Sequence, residues 1–367
     1  MKRLTYLLFF VLLAVTAQAQ RAKYVFYFIG DGMGLNQVNT TEMYLGEQDG
    51  RIGIAPLTFA SFPVAGMATT YSATNSITDS AAGGTALATG SKTYNGAIGV
   101  NTDKETVMSV AERAKRSGKK VGVTTSVSVD HATPASFYAH QPDRNMYYEI
   151  AQDMLKAGFD FYAGGGFLKP DKTFDGKDAP SIFPQIEEAG YTLARGVEEY
   201  EAKCDDADKM VLIQDEDAVD TNLPYAIDRE EGDLTLKQIT ESAIDFLMKD
   251  NNKGFFLMVE GGKIDWACHN NDVATVVREV LDLDEAVKVA YEFYKKHPKE
   301  TLIVITADHE TGGLGMGREG YTLALKSVAN QDNSQEMLSR AITDLRKNAG
   351  HKATWEEVKA LLADKMG

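Results

Sequence analysis

The sequence predicts an α/β fold of three layers, with a mostly parallel central sheet flanked by helices. Two patterns carry that expectation. Short, nearly continuous apolar runs recur along the chain, as strands buried on both faces require, and amphipathic stretches long enough for helices lie between them. No internal repeat appears, so a single domain over residues 20–367 is expected.

In chain order, the strand candidates are KYVFYFI (23–29), KKVGVTT (119–125), FDFYA (159–163), GFFLMV (254–259) and TLIVIT (301–306). Helices are expected over 105–117, 145–157, 234–250, 273–296, 335–347 and 354–365. The stretch TVVREVLDLDEAVKVAY (275–291) keeps one apolar face at helical spacing. Residues 164–232 open glycine-rich, as GGGFLKPDKTFDG, and turn acidic with weak periodicity. They read as a peripheral insertion carrying one strand, MVLI, at 210–213. Residues 316–367 read as a peripheral helical segment.

The first 19 residues combine Lys2 and Arg3, an apolar run from Leu7 to Val15 and a small-residue site at Ala17-Gln18-Ala19. That is the pattern of a cleavable signal peptide, which places the mature chain in the periplasm or outside the cell. The run falls short of the ~20 residues that span a bilayer, and no later run reaches that length, so no membrane span is expected. Two cysteines, Cys204 and Cys268, make no disulfide framework and read as unpaired thiols. A net charge of −15, with no Lys/Arg stripe, argues against nucleic acid as a partner. An anionic substrate would then need positive charge supplied by the site itself.

Chemistry-bearing residues fall at the ends of the apolar runs. Asp31 follows the first, in FIGDGMG; Glu260 follows FFLMV; Asp308 and His309 follow LIVITA; His131 and Thr133 lie just past VGVTT. In a parallel sheet, ligands bind at the carboxyl ends of the strands, so these groups converge on one edge. Acids gathered beside a buried sheet need a compensating charge, and a bound cation is the commonest one.

Asp265 and His269 are spaced i, i+4 and share one face of a helix, close enough to grip one ion. Alone they would pass for a surface pair. TADHETGG (306–313) adds a second Asp/His set in a glycine-bounded loop. Mixed imidazole and carboxylate donors favour zinc, whereas the oxygen donors of Asp31, Thr133 and Glu260 suit magnesium.

Ser80, in TDSAAGGTALATG (78–90), is the nucleophile candidate. Asp79-Ser80 before small residues reads as a helix start, where free N–H groups and the helix dipole favour an anion. Capping alone is the plainer role, and one turn can do both. A metal can activate the hydroxyl without a histidine base, and no Gly-x-Ser-x-Gly elbow surrounds it. Arg144, in YAHQPDRNMYYE, offers a forked guanidinium to phosphate oxygens.

Five stretches taken together, FIGDGMG, TDSAAGGTALATG, DHATPASFYAH with Arg144, VEGGKIDWACHNND and TADHETGG, resemble the alkaline phosphatase family in content and order, over roughly residues 23–315 outside the insertion. The resemblance implies a phosphate monoesterase working through a phosphoserine on Ser80. It implies one zinc held by Asp31, Asp308 and His309, a second held by Asp265 and His269, and a magnesium held by Asp31, Thr133 and Glu260. Arg144 becomes the phosphate clamp, small phosphomonoesters the substrates, and a homodimer a possible assembly.

Two departures stand out. His131 and Trp266 flank the magnesium position; His131 could approach the metal directly or through water, and a place behind the metal's own ligands is preferred. The family also supplies a further zinc-ligating histidine near its C-terminus. The six histidines here, at 131, 140, 269, 297, 309 and 351, include none in such a stretch, so the chain is expected to be truncated before it. Losing that ligand should weaken the second zinc by at least about 10–100-fold, the range for losing even a supporting partner. The competing readings are a phosphodiesterase or related hydrolase of the same superfamily, or an inactive phosphate- or metal-binding fragment. A sulfatase is disfavoured because neither cysteine sits in a Cys-x-Pro-x-Arg motif.

Overall fold

A computed structural model describes residues 22–214, 221–317, 320–348, 350 and 352–366. The signal-like segment over 1–19 lies outside them. Seven strands form one parallel sheet: β1 (Tyr24–Gly30), β2 (Lys120–Thr125), β3 (Phe161–Gly164), β4 (Thr192–Arg195), β5 (Met210–Ile213), β6 (Phe255–Gly261) and β7 (Thr301–Ala307). Their order across the sheet is β4-β5-β3-β2-β6-β1-β7. Helices cover both faces, which gives the three layers expected.

The continuous apolar runs follow from this burial. β6 is buried at every residue, and an apolar core lies on each side of the sheet. Leu236–Met248 and Val273–Lys296 close one face, through residues such as Ile239, Phe246, Val280 and Leu283 packed with Phe26 and Leu257. Tyr147–Ala157 helps close the other, through Ile150 and Met154 packed with Val121 and Met258. β7 differs from the buried strand expected. It lies at the edge of the sheet, with its side chains only partly covered and Leu302 exposed.

Three other expectations need correction. Residues 164–232 supply two strands to the central sheet, where one was expected in a peripheral insertion. β4 escaped notice because TLAR is four residues long and ends on an arginine, so it carries no apolar pattern. The helix expected over 105–117 runs only from Val110 to Arg116. Ser109 starts it with a capping box, its Oγ accepting from Glu112 N and the Glu112 carboxylate accepting from Ser109 N. A helix at Leu35–Gln48 was not anticipated, because its buried face is polar: Gln37, Thr40, Thr41 and Glu42. Pairing offsets part of that burial, although Gln37 Oε1 and Thr40 Oγ1 find no partner among the described residues. Gln37 donates to the Thr311 carbonyl at 2.8 Å, and Glu42 accepts from Leu57 N at 3.0 Å.

Cys204 and Cys268 are both buried and unpaired, as expected. Among the described residues no helix is long and apolar enough to cross a membrane.

Candidate active site and metal centre

Strand register gathers the site. Ile29 of β1 pairs with Glu260 of β6 and Thr306 of β7, and Thr125 of β2 pairs with Glu260 from the other side. The four strands therefore end level. Asp31, Glu260 and Asp308, each at or just past a strand end, are carried to one place and buried there.

Ser80 enters from a different segment. It is the first residue of the helix Ser80–Thr89, which Asp79 caps by accepting from Ala82 N at 3.0 Å. The small residues behind it are needed for close approach. A Cβ on Gly83 would stand 3.0 Å from the Asp308 carbonyl oxygen, and one on Gly84 would stand 2.9 Å from Ser136 Oγ. Glycine at these two positions lets the helix press against the segments carrying Asp308 and Thr133.

Ser80 Oγ lies 3.3 Å from Asp31 Oδ1 and 3.2 Å from His309 Nε2. His309 Nε2 is in turn 3.4 Å from Asp31 Oδ1 and 3.5 Å from Asp308 Oδ2. Ligand atoms of Asp31, Asp308 and His309 all fall within 4.8 Å of one another, and so do those of Asp31, His131 and Glu260. Two adjoining donor groups thus share Asp31.

Among the described residues the chain compensates these groups only in part. Asp31 Oδ2, Glu260 Oε1, Asp308 Oδ2, Thr133 Oγ1 and His131 Nδ1 are buried without a hydrogen-bond partner. Burial drives the Asp31 carboxyl well above its usual range, and the neighbouring Asp308, Asp265 and Glu260 push it further. Burial likewise raises Asp308, and it pushes Glu260 up to about 8. Buried polar atoms are normally satisfied, so this concentration of orphans at one point has the chemistry of a cation site. The donors fit divalent ions: carboxylates and imidazole at both groups.

His131 stands beside these carboxylates. Its ring joins Asp31 and Glu260 as a donor, packs edge-on to Trp266 at 5.7 Å, and is held neutral by burial, which pushes its pKa down to about 3. A neutral imidazole is the form that binds metal.

Asp265 and His269 lie on the helix Lys263–His269 directly after β6. Asp265 is buried and reaches the cluster through Thr311, whose Oγ1 donates to its Oδ1 at 2.6 Å. His269 stands at the rim, its side chain 70% exposed, with Nε2 3.5 Å from Asp265 Oδ2. Among the described residues this pair has no third His, Cys, Asp or Glu donor grouped with it. Arg144 donates from Nη1 to Asp79 Oδ2 at 3.0 Å, beside the turn that presents Ser80. Its backbone N donates to the Gly96 carbonyl and Asp79 Oδ2 accepts from Gly96 N, so one loop fixes both partners.

Sequence reasoning passed over Thr125, Ser126 and Thr311. Thr125 donates to Glu260 Oε2, and Ser126 Oγ accepts from Gly262 N at 2.9 Å. All three are uncharged hydroxyls; Thr125 ends the strand candidate KKVGVTT and Thr311 lies in TADHETGG, but neither stretch marks its hydroxyl as part of the site.

A family model described as Alkaline phosphatase matches residues 22–164 and 185–364. Alkaline phosphatase 4 of Bacillus subtilis is 36% identical over 355 residues, covering 92% of this chain and 74% of that protein. Among solved structures, a cold-active alkaline phosphatase from the psychrophile Shewanella sp. superposes with a TM-score of 0.77 at 33% identity, covering 94% of this chain and 84% of its own. A histidine-to-glutamate variant of the alkaline phosphatase from the Antarctic bacterium TAB5, with Mg bound in its M3 site, superposes with a TM-score of 0.71 at 34% identity, covering 84% of this chain and 83% of its own.

Proposed function

The chain belongs to the alkaline phosphatase family and is a phosphatase, and from that premise we propose that it hydrolyses small phosphate monoesters through a phosphoserine on Ser80. One observation carries this reading. Ser80 Oγ sits at the N-terminus of a helix, within 3.3 Å of both Asp31 and His309, where among the described residues the buried carboxylates each keep an oxygen with no hydrogen-bond partner. Hydroxyl, anion-binding turn and cation site meet at one point.

The family is metal-dependent, and the proposed complement is two zinc ions and one magnesium. Asp31, Asp308 and His309 would hold one zinc, and Asp265 and His269 the other. Asp31, Thr133 and Glu260 would hold the magnesium, with His131 beside them as an additional donor. When bound, such ions neutralise phosphate oxygens and lower the pKa of a serine hydroxyl.

The chain's own groups supply binding and orientation. Asp79 and the following N–H groups fix the turn, so Ser80 Oγ points toward Asp31 and His309. With a cation held on those same two side chains, the hydroxyl proton would leave to solvent as the serine oxygen attacks phosphorus and the ester's alcohol departs. Arg144 presents a guanidinium with five N–H donors, of which Asp79 engages one, leaving donors for two phosphate oxygens. The capped turn and the close packing of its helix against the Asp308 segment orient the nucleophile before substrate arrives. The signal-like N-terminal segment supports action in the periplasm or outside the cell.

The test is turnover of p-nitrophenyl phosphate by chain stripped of metal and then given zinc, magnesium, or both. We expect activity to return only with metal, to vanish in Ser80→Ala, and to exceed that on bis(p-nitrophenyl) phosphate. Faster turnover of the diester would instead support a phosphodiesterase.

A further inference from the structure

We propose that Thr311 is a positioning residue of this site: its hydroxyl holds His309 in the tautomer that leaves Nε2 free for a cation, and ties that ring to Asp265. Its functional meaning rests on the phosphatase reading above.

Thr311 is buried, with Oγ1 2.6 Å from Asp265 Oδ1 and 3.1 Å from His309 Nδ1. A hydroxyl has one proton to give, and a carboxylate only accepts. The short contact to Asp265 takes that proton, which leaves lone pairs toward the imidazole. Nδ1 must therefore carry hydrogen and donate to Thr311. The backbone imposes the same choice, because Nδ1 also lies 3.2 Å from the Glu310 carbonyl oxygen, another pure acceptor. With hydrogen on Nδ1, the lone pair of Nε2 faces the position among Ser80, Asp31 and Asp308 where a cation would sit, and that cation takes the place of the hydrogen those acceptors would otherwise draw to Nε2.

The surroundings are shaped to hold this link. Gln37 donates to the Thr311 carbonyl at 2.8 Å and fixes its backbone. Gly32 turns past it with φ at +65°, and a Cβ there would fall 2.8 Å from both Asp265 Oδ1 and Thr311 Oγ1. The glycine after Asp31 thus makes room for a bond between the segments following β6 and β7. Asp265 belongs to one proposed zinc and His309 to the other, and Thr311 joins their positions. A partner on the far nitrogen of a metal-binding histidine fixes its orientation and raises its basicity.

The experiment uses the zinc-loaded chain with histidine labelled with ¹⁵N, the His309 signal being assigned with His309→Gln. Wild type should show hydrogen on Nδ1 and none on Nε2. Thr311→Val, which keeps the shape and removes the hydroxyl, should shift the Nδ1–H resonance and, by chelator competition, weaken zinc binding by about 10–100-fold. Thr311→Ser should restore both. Hydrogen on Nε2 in wild type would overturn the proposal without recourse to any variant, and so would a valine variant matching wild type in both readouts. Neither readout needs turnover, so an inactive chain would count against the phosphatase reading and leave this test intact.

Discussion

Arg144 Nη1 lies 3.0 Å from Oδ2 of Asp79, the carboxylate whose other oxygen caps the helix that Ser80 begins. One acid thus orients both the serine turn and the guanidinium proposed to grip phosphate. Replacing Arg144 with lysine keeps the charge and removes the fork. Charge-assisted bonds contribute about 1.5–3 kcal/mol, so KM for a monoester and inhibition by inorganic phosphate should both weaken by roughly tenfold or more. Steady-state kinetics with phosphate as product inhibitor measures this.

Asp79 separates cap from counter-ion. Asp79→Ala should cost about 0.5–2 kcal/mol in denaturant unfolding, because the donor at Ala82 loses its acceptor. Asp79→Asn should keep most of that stability, since asparagine caps as well as aspartate does. Equal losses in the two variants would show that the ion pair with Arg144, and not the cap, matters to stability.

Gly83 sets helix propensity against the site. Alanine is favoured over glycine in a helix by about 1 kcal/mol. Here an added Cβ would stand 3.0 Å from the Asp308 carbonyl oxygen and 3.2 Å from Asp308 Cβ, so the donor aspartate must move. Gly83→Ala should therefore lower zinc affinity and kcat by about tenfold, near 1.4 kcal/mol, without a gain in Tm. Calorimetric zinc titration beside a thermal melt checks both halves.

Metal removal should make stability strongly dependent on pH. Glu260, with an ordinary value of 4.5, is pushed up to about 8 by burial, and Asp31 and Asp308 are raised as well. A raised carboxyl binds its proton more tightly folded than unfolded. Its stabilisation is complete below the ordinary value and is lost as pH rises through the folded one. The metal-free chain should therefore lose stability from about pH 5 to about pH 8, by on the order of 1 kcal/mol per pH unit for each titrating group. Added zinc or magnesium should flatten the profile, because a bound cation supplies the compensation the proton gave. Thermal melts with and without chelator across that range decide it.

Much of this arrangement could be read from the residues. β1, β2 and β6 lie inside the sheet, and burial on both faces is what writes an uninterrupted apolar run. Asp31, Glu260, Asp308 and His309 were found because strand ends in a parallel sheet must converge. What stayed hidden has physical causes. β4 is too short to carry a pattern, and the helix Leu35–Gln48 buries polar side chains that only their partners explain. Thr311 carries no charge, so nothing in TADHETGG distinguishes it from a loop residue until its two neighbours are in place.

The most direct measurement is acid-quench trapping of the enzyme during turnover of a phosphate monoester, followed by peptide mass spectrometry. Phosphate should be found on Ser80 of the metal-loaded chain, and Ser80→Ala should show none. Steady turnover with no phosphate on Ser80, or turnover that survives Ser80→Ala, would contradict a mechanism in which this serine attacks phosphorus.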